Sequence, residues 1–156
     1  LEVADAAIAA WSADRIGYRI YPLGGFNGVD NGEDQEEATL YLVREFAKRD
    51  LAYLHISEPD WAGGKPLRED FRKALRDAFP NTIIAAGAYT PEKAEDLISR
   101  GLIDAVAFGR GFIANPDLPA RFKQNGPYNE LRAQFNSGGA EEGYTDYPTL
   151  AELEAV

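Results

Sequence analysis

The stretch TIIAAGAYTPEKAEDLISRGLIDAVAFG, Thr82 to Gly109, contains a complete strand, helix and strand, and its punctuation decides the fold. TIIAAG is a short apolar run with β-branched residues at its start, the composition of a buried strand. Thr90 stands where a helix needs a side-chain acceptor for its first free N–H groups, and Pro91 follows with its φ already suited to the first turn. Ala94, Leu97 and Ile98 then fall on one helical face, and Gly101 supplies the stop. IDAVAFG is the next apolar strand. Two strands joined through a helix in this way run parallel, with a right-handed crossover.

The same grammar extends upstream. LAYLHIS, residues 51–57, is a strand; EPDWAGGKPL is its loop; and Phe71, Ala74, Leu75 and Ala78 give the next helix its inward face. Before it, RIGYRIYPL leads through the loop GGFNGVDNGED into a helix from about Asp34, where Asp34 and Glu37 fit a capping box. That helix turns Leu42, Val43, Phe46 and Ala47 inward. Val3, Ala6, Ala7 and Ala10 recur at helical spacing in a first helix that reads as cut, because nothing precedes Leu1 to cap it.

The expected class is therefore α/β with about four βα units, and near-continuous apolar strands imply a sheet covered on both faces. A doubly wound sheet and a (β/α)₈ barrel both fit. The long or glycine-rich loops all follow strands, as the functional loops of a barrel do, which favours the barrel. Four strands cannot close one and leave an unpaired edge at each side. The chain reads as the C-terminal half of a TIM barrel, a single partial domain over residues 1–156 with a tail from about 125.

Composition narrows the partners. Sixteen basic against 26 acidic residues give a formal charge of -10, which repels nucleic acid and anionic membrane surfaces. With no cysteine and one histidine, a disulfide framework or a metal site is not expected. No apolar run approaches a membrane span, and the N-terminus lacks a signal-peptide pattern, so a cytoplasmic location is expected.

AAGAYTPEK and AFGRGF close the last two strands. If those strands are neighbours, Gly87, Ala88, Gly109 and Arg110 gather at one rim, where glycine amides and a guanidinium could cradle a phosphate. The alternative is tight turns and a solvated charge. Arg19, in mid-strand, is either a structural arginine of a barrel interior or a functional cation.

IGYRIYPLGGF, YLHISEPDWAGGKP, AAGAYTPEKAEDLI, GLIDAVAFGRGFIANPDL and GYTDYPTL, in that order, resemble the C-terminal half of the Old Yellow Enzyme family, most closely its bacterial ene-reductase branch. The resemblance covers nearly the whole chain. It implies a barrel that holds FMN, is reduced by NAD(P)H, and reduces activated C=C bonds of small unsaturated carbonyl or nitro substrates. Carried over by residue, it implies that Arg19 lies near the flavin pyrimidine edge, that Ala86, Gly87, Ala88, Gly109 and Arg110 belong to the phosphate-binding segments, and that Phe135 is an aromatic at the flavin edge. Phe26 and Trp61 would line the substrate pocket. Asn136, where the closest relatives commonly carry tyrosine, and the added glutamate in GGAEEGYTDY depart from the pattern.

The family's carbonyl-polarising histidine pair, or His/Asn pair, and its tyrosine proton donor belong to the other half, so no catalytic residue is assigned here and an N-terminal half-barrel polypeptide is the implied partner. His55 reads as a hydrogen-bonded strand histidine, Glu58 and Asp60 as solvated loop charges, and Tyr144 and Tyr147 as tail packing. Two competing readings are a non-catalytic flavin- or phosphate-binding half-barrel module and an engineered, self-assembling half barrel.

Overall fold

The computed structural model describes residues 1–29, 31–132 and 141–154. The chain divides into two compact units, Leu1–Ala107 and Phe108–Val156.

In the first unit, α1 (Glu2–Trp11) precedes β1 (Gly17–Ile20), α2 (Gln35–Lys48), β2 (Tyr53–Ser57), α3 (Glu69–Ala78), β3 (Thr82–Ala86), α4 (Pro91–Ser99) and β4 (Ala105–Val106). The four strands form one parallel sheet in the order β1-β2-β3-β4. A doubly wound sheet reverses its strand order at a switch point. Here the order never reverses, and α1 to α4 all contribute to a single apolar cluster on one sheet face: Ala4, Val43, Phe46, Phe71, Leu75 and Leu97 pack with Ile20, Leu54, Ile56, Ile83 and Ala85. Steady advance with the helices on one side is the arrangement of a barrel wall.

Register sorts the strand residues by face. Tyr18, Leu54 and Ile83 align toward the helices, as do Ile20, Ile56, Ala85 and Val106. The other face carries Gly17, Tyr53 and Thr82 in one row and Arg19, His55, Ile84 and Ala105 in the next. Coverage on both faces, expected from the apolar strands, is not what the sheet shows. Arg19, Tyr53 and Thr82 are exposed and His55 is only half-buried, because no helix of this unit lies over that face. The backbone edges of β1 and β4 have no further strand beside them among the described residues.

Local signals fared unevenly. The Thr90 hydroxyl accepts from Lys93 N–H at 3.2 Å, and Gly101 takes φ 69°, so both ends of α4 are built as the letters indicate. At α2 the Asp34 side chain makes no cap hydrogen bond, so the capping box is absent. The inward face of α1 is Ala4 and Ile8, while Val3 is 71% exposed; an alanine-rich helix is apolar nearly all round, and periodicity cannot choose its buried side. Ile98 on α4 is exposed rather than buried.

The second unit holds α5 (Gly109–Ala114), α6 (Leu118–Gln124) and α7 (Leu150–Glu154). Arg121 of α6 is its hub. Fully buried, it donates from Nε to Asp117 Oδ1, from Nη1 to the Pro127 carbonyl and from Nη2 to the Pro148 carbonyl, each at 2.6 Å. Asn129 Nδ2 donates to the Ala114 and Pro148 carbonyls at 2.7 and 2.8 Å, and the second Asp117 oxygen accepts from Leu150 N–H at 2.7 Å. Tyr147 is buried and its hydroxyl accepts from Arg132 N–H at 2.7 Å, which is tail packing; Tyr144 is exposed. Among the described residues no helix is long and apolar enough to cross a membrane.

Candidate cofactor and substrate site

The second residue row of the open face starts with two polar residues, Arg19 and His55, where a buried sheet would be apolar. Arg19 projects from β1, and its Nη2 donates to Ser57 Oγ at 3.2 Å. Among the described residues no carboxylate lies within ion-pair distance of it. Its neighbour across the ladder is His55. The hydrogen-bonded histidine expected there is not formed, since His55 Nε2 is buried without a partner. Burial, and then the Arg19 charge, lower its pKa below the ordinary imidazole value, so the ring is neutral near pH 7.

At the C-terminal ends of the strands the loops meet. Phe26 follows β1 and Trp61 follows β2, and their rings lie 4.9 Å apart at 57°. Tyr21 adds a third ring, 6.4 Å from Trp61. Phe26 and Trp61 therefore form one aromatic wall, and both remain partly exposed. A recess of about 320 Å³ beside it is lined by Tyr21, Phe26, Asn27, Pro59, Ala62 and Gly63.

Directly after β2 lies a buried ionic network that sequence reading missed. Glu58, expected as a solvated charge, is 0% exposed. It receives both terminal nitrogens of Arg72, itself 6% exposed on α3, and the Tyr89 hydroxyl donates to it as well. Glu58 is buried because it is the first residue after β2, where the pleat turns it to the helix side, opposite Ser57. Burial, and then the Glu58 carboxylate, raise the Tyr89 phenol well above its usual range, so it remains a donor. Asp60 is also no solvated charge. Its Oδ1 accepts from Ala88 N–H at 2.9 Å and its Oδ2 from Lys93 Nζ at 3.0 Å. A signal was available, because Arg72, Leu75 and Phe79 share helical spacing and an arginine on a core stripe requires an anion.

Ala86 is the last residue of β3, with Gly87 and Ala88 forming the turn that follows. Asp60 already occupies the Ala88 amide, so that donor is not open to an added anion as the turn stands. Gly109 and Arg110 open α5 in the second unit, and a Cβ at Gly109 would meet nothing within 4 Å. Phe135 and Asn136 lie outside the described residues. No cluster of three or more His, Cys, Asp or Glu side chains able to hold a metal occurs among those described.

Residues 1–129 match the model of the NADH:flavin oxidoreductase / NADH oxidase family. The chain belongs to that family. Among its relatives, 12-oxophytodienoate reductase 2 of Arabidopsis thaliana is 37% identical over 154 residues, covering 96% of this chain and 41% of that protein. Morphinone reductase in complex with tetrahydroNAD superposes with a TM-score of 0.87 at 41% identity, over 96% of this chain and 39% of that one. The old yellow enzyme from Trypanosoma cruzi gives 0.85 at 35% identity, over 96% and 39%. The chain thus spans about two fifths of the length of the relatives it matches, and its four-stranded wall is a partial TIM barrel. The Old Yellow Enzyme resemblance holds, and FMN and NAD(P)H are the cofactors that go with it.

The open face fits such a cofactor. The guanidinium, without a carboxylate partner, can donate to an electron-rich polar ring edge, and the buried imidazole nitrogen beside it has hydrogen-bonding capacity that no group of this chain meets among the described residues. The Ala88 amide fits a phosphate less well, for the reason given above.

Proposed function

We propose that this chain forms the C-terminal part of an FMN-dependent NAD(P)H oxidoreductase that reduces activated C=C bonds of enones, with nitro compounds or nitrate esters as further acceptors. When bound, FMN would supply hydride-transfer chemistry between NAD(P)H and the activated C=C bond of the acceptor. The chain's own residues bind, orient and shield. Arg19 faces the pyrimidine edge and stabilises negative charge there, Ala86, Gly87 and Ala88 form a rigid turn at the cofactor, and the Phe26 and Trp61 wall bounds the substrate. Gly109 and Arg110 supply phosphate contacts, with Phe135 at the flavin edge. The carbonyl-polarising pair and the proton donor come from an N-terminal half barrel. Strands from that half pair with the edges of β1 and β4 and cover the open face.

The observation that carries this reading is Arg19, a cation in mid-strand whose one side-chain hydrogen bond among the described residues goes to a neutral hydroxyl. Replacing it is expected to lower the flavin midpoint potential. Loss of one charge-assisted contact of about 1.5–3 kcal/mol corresponds to roughly 30–60 mV for a two-electron couple. Potentiometric titration of Arg19→Leu measures the shift, and an unmoved potential removes Arg19 from the flavin.

For the activity itself, NAD(P)H oxidation with cyclohexenone is followed anaerobically for this chain with FMN, alone and mixed with the N-terminal half. No turnover is expected alone and enone reduction is expected in the mixture, because oriented groups at the carbonyl supply several kcal/mol of transition-state stabilisation. Full turnover by these 156 residues alone would overturn the half-barrel reading.

A further inference from the structure

The loops after β2 and β3 are bound to each other by contacts that neither the flavin-facing row nor the aromatic wall requires. Glu58 N–H donates to the Ala86 carbonyl at 2.7 Å, so pairing of the two strands runs one residue past β2. Asp60, in the single turn Pro59–Ala62, then reaches across with a side chain only 6% exposed. One of its oxygens holds Ala88 N–H at 2.9 Å and the other Lys93 Nζ at 3.0 Å. The Lys93 ammonium also lies 4.3 Å from the centre of the Tyr89 ring, and Tyr89 in turn is hydrogen-bonded to Glu58.

The fit between Asp60 and the turn is steric as well as polar. A Cβ on Gly87 would collide with Asp60 Oδ1 and stand 3.0 Å from Glu58 Cβ. Glycine at 87 is therefore what allows the carboxylate to lie on the turn. A glycine-containing turn has much backbone freedom of its own, so its conformation must be imposed from outside. A largely buried, doubly engaged carboxylate is a strong means of doing so.

We propose that Asp60 is a positioning residue that sets the conformation of the Gly87–Ala88 turn. The proposal rests on the reading that puts this turn against FMN. Asp60 itself touches no cofactor in it. Its effect passes through the Ala88 amide.

The test uses the protein as expressed, with Asp60→Ala, Asp60→Asn and Gly87→Ala compared by the exchange rate of the Ala88 amide and by FMN affinity from fluorescence titration. Asp60→Ala is expected to accelerate Ala88 exchange and to weaken FMN binding roughly ten-fold, the scale of one lost charge-assisted hydrogen bond. Asp60→Asn keeps an oxygen for Ala88 N–H while losing the Lys93 charge pair, so it should retain most of the protection and affinity. Gly87→Ala, which pushes the carboxylate off the turn, should behave like Asp60→Ala, and this pair carries the comparison if Asp60→Ala does not fold. Unchanged Ala88 exchange in Asp60→Ala, or in Gly87→Ala in its place, overturns the positioning role. Faster exchange with unchanged FMN affinity overturns instead the placement of the turn at the cofactor.

Discussion

Glu58→Ala is expected to destabilise the first unit by about 3–5 kcal/mol, the scale of removing one partner from a buried ion pair. Glu58 is completely buried, and the Arg72 guanidinium it receives is nearly so. Removing the carboxylate leaves a desolvated cation on α3 and the Tyr89 hydroxyl without its acceptor. A domain has only some 5–15 kcal/mol in total, so a large share is at stake. Urea unfolding measures the loss. A second variant separates ion pairing from packing: Glu58→Leu combined with Arg72→Leu removes both charges and should recover much of the stability, since apolar replacement of a buried pair is often neutral or better. A loss below about 1 kcal/mol in Glu58→Ala, the scale of a surface pair, would mean that water reaches the site.

Arg121→Ala is expected to have its effect in the second unit. The side chain ties α6 to the Pro127 carbonyl just beyond its own end, to the Pro148 carbonyl far along the chain, and to Asp117, whose other oxygen holds the start of α7. Truncation leaves buried carbonyls short of a donor and a large cavity, on the order of 3–5 kcal/mol together. The checkable consequence is local: amide protection should fall at Asn129 and Leu150, both held in this network, while the sheet amides of β2 and β3 keep theirs. Unchanged exchange at Asn129 and Leu150 would show that the unit does not depend on its hub. Lysine at 121 should not restore it, because one ammonium cannot reproduce a planar fork with three separate acceptors.

Much of this molecule is readable from left to right. The run of residues 82–109 contains its own cap, stop and strand ends, and the structure builds α4 between Thr90 and Gly101 as those letters require. Strand direction follows as well, because helices join successive strands and admit only parallel pairing. These features depend on contacts between residues near in sequence, whose chemistry is visible in any short window. The aromatic wall is different: Phe26 and Trp61 are far apart in sequence, only the family resemblance links them at that level, and the fold brings their rings to 4.9 Å.

Tertiary structure alone decided which charges are buried. Glu58 and Asp60 have the composition of a solvated loop, and Asp34 that of a helix cap. Yet the first two are locked inside by Arg72, Tyr89, Lys93 and Ala88, while Asp34 caps nothing with its side chain. A carboxylate's burial depends on whether a distant segment brings it a donor; the spacing of Arg72 on a core stripe signals that some anion is needed, and only the fold makes that anion Glu58. The open face of the sheet is the same lesson at larger scale. Apolar strands predicted cover on both sides, but Arg19 and His55 show which side the helices leave, because helix packing consumes one face and a barrel wall keeps its other face for what it encloses.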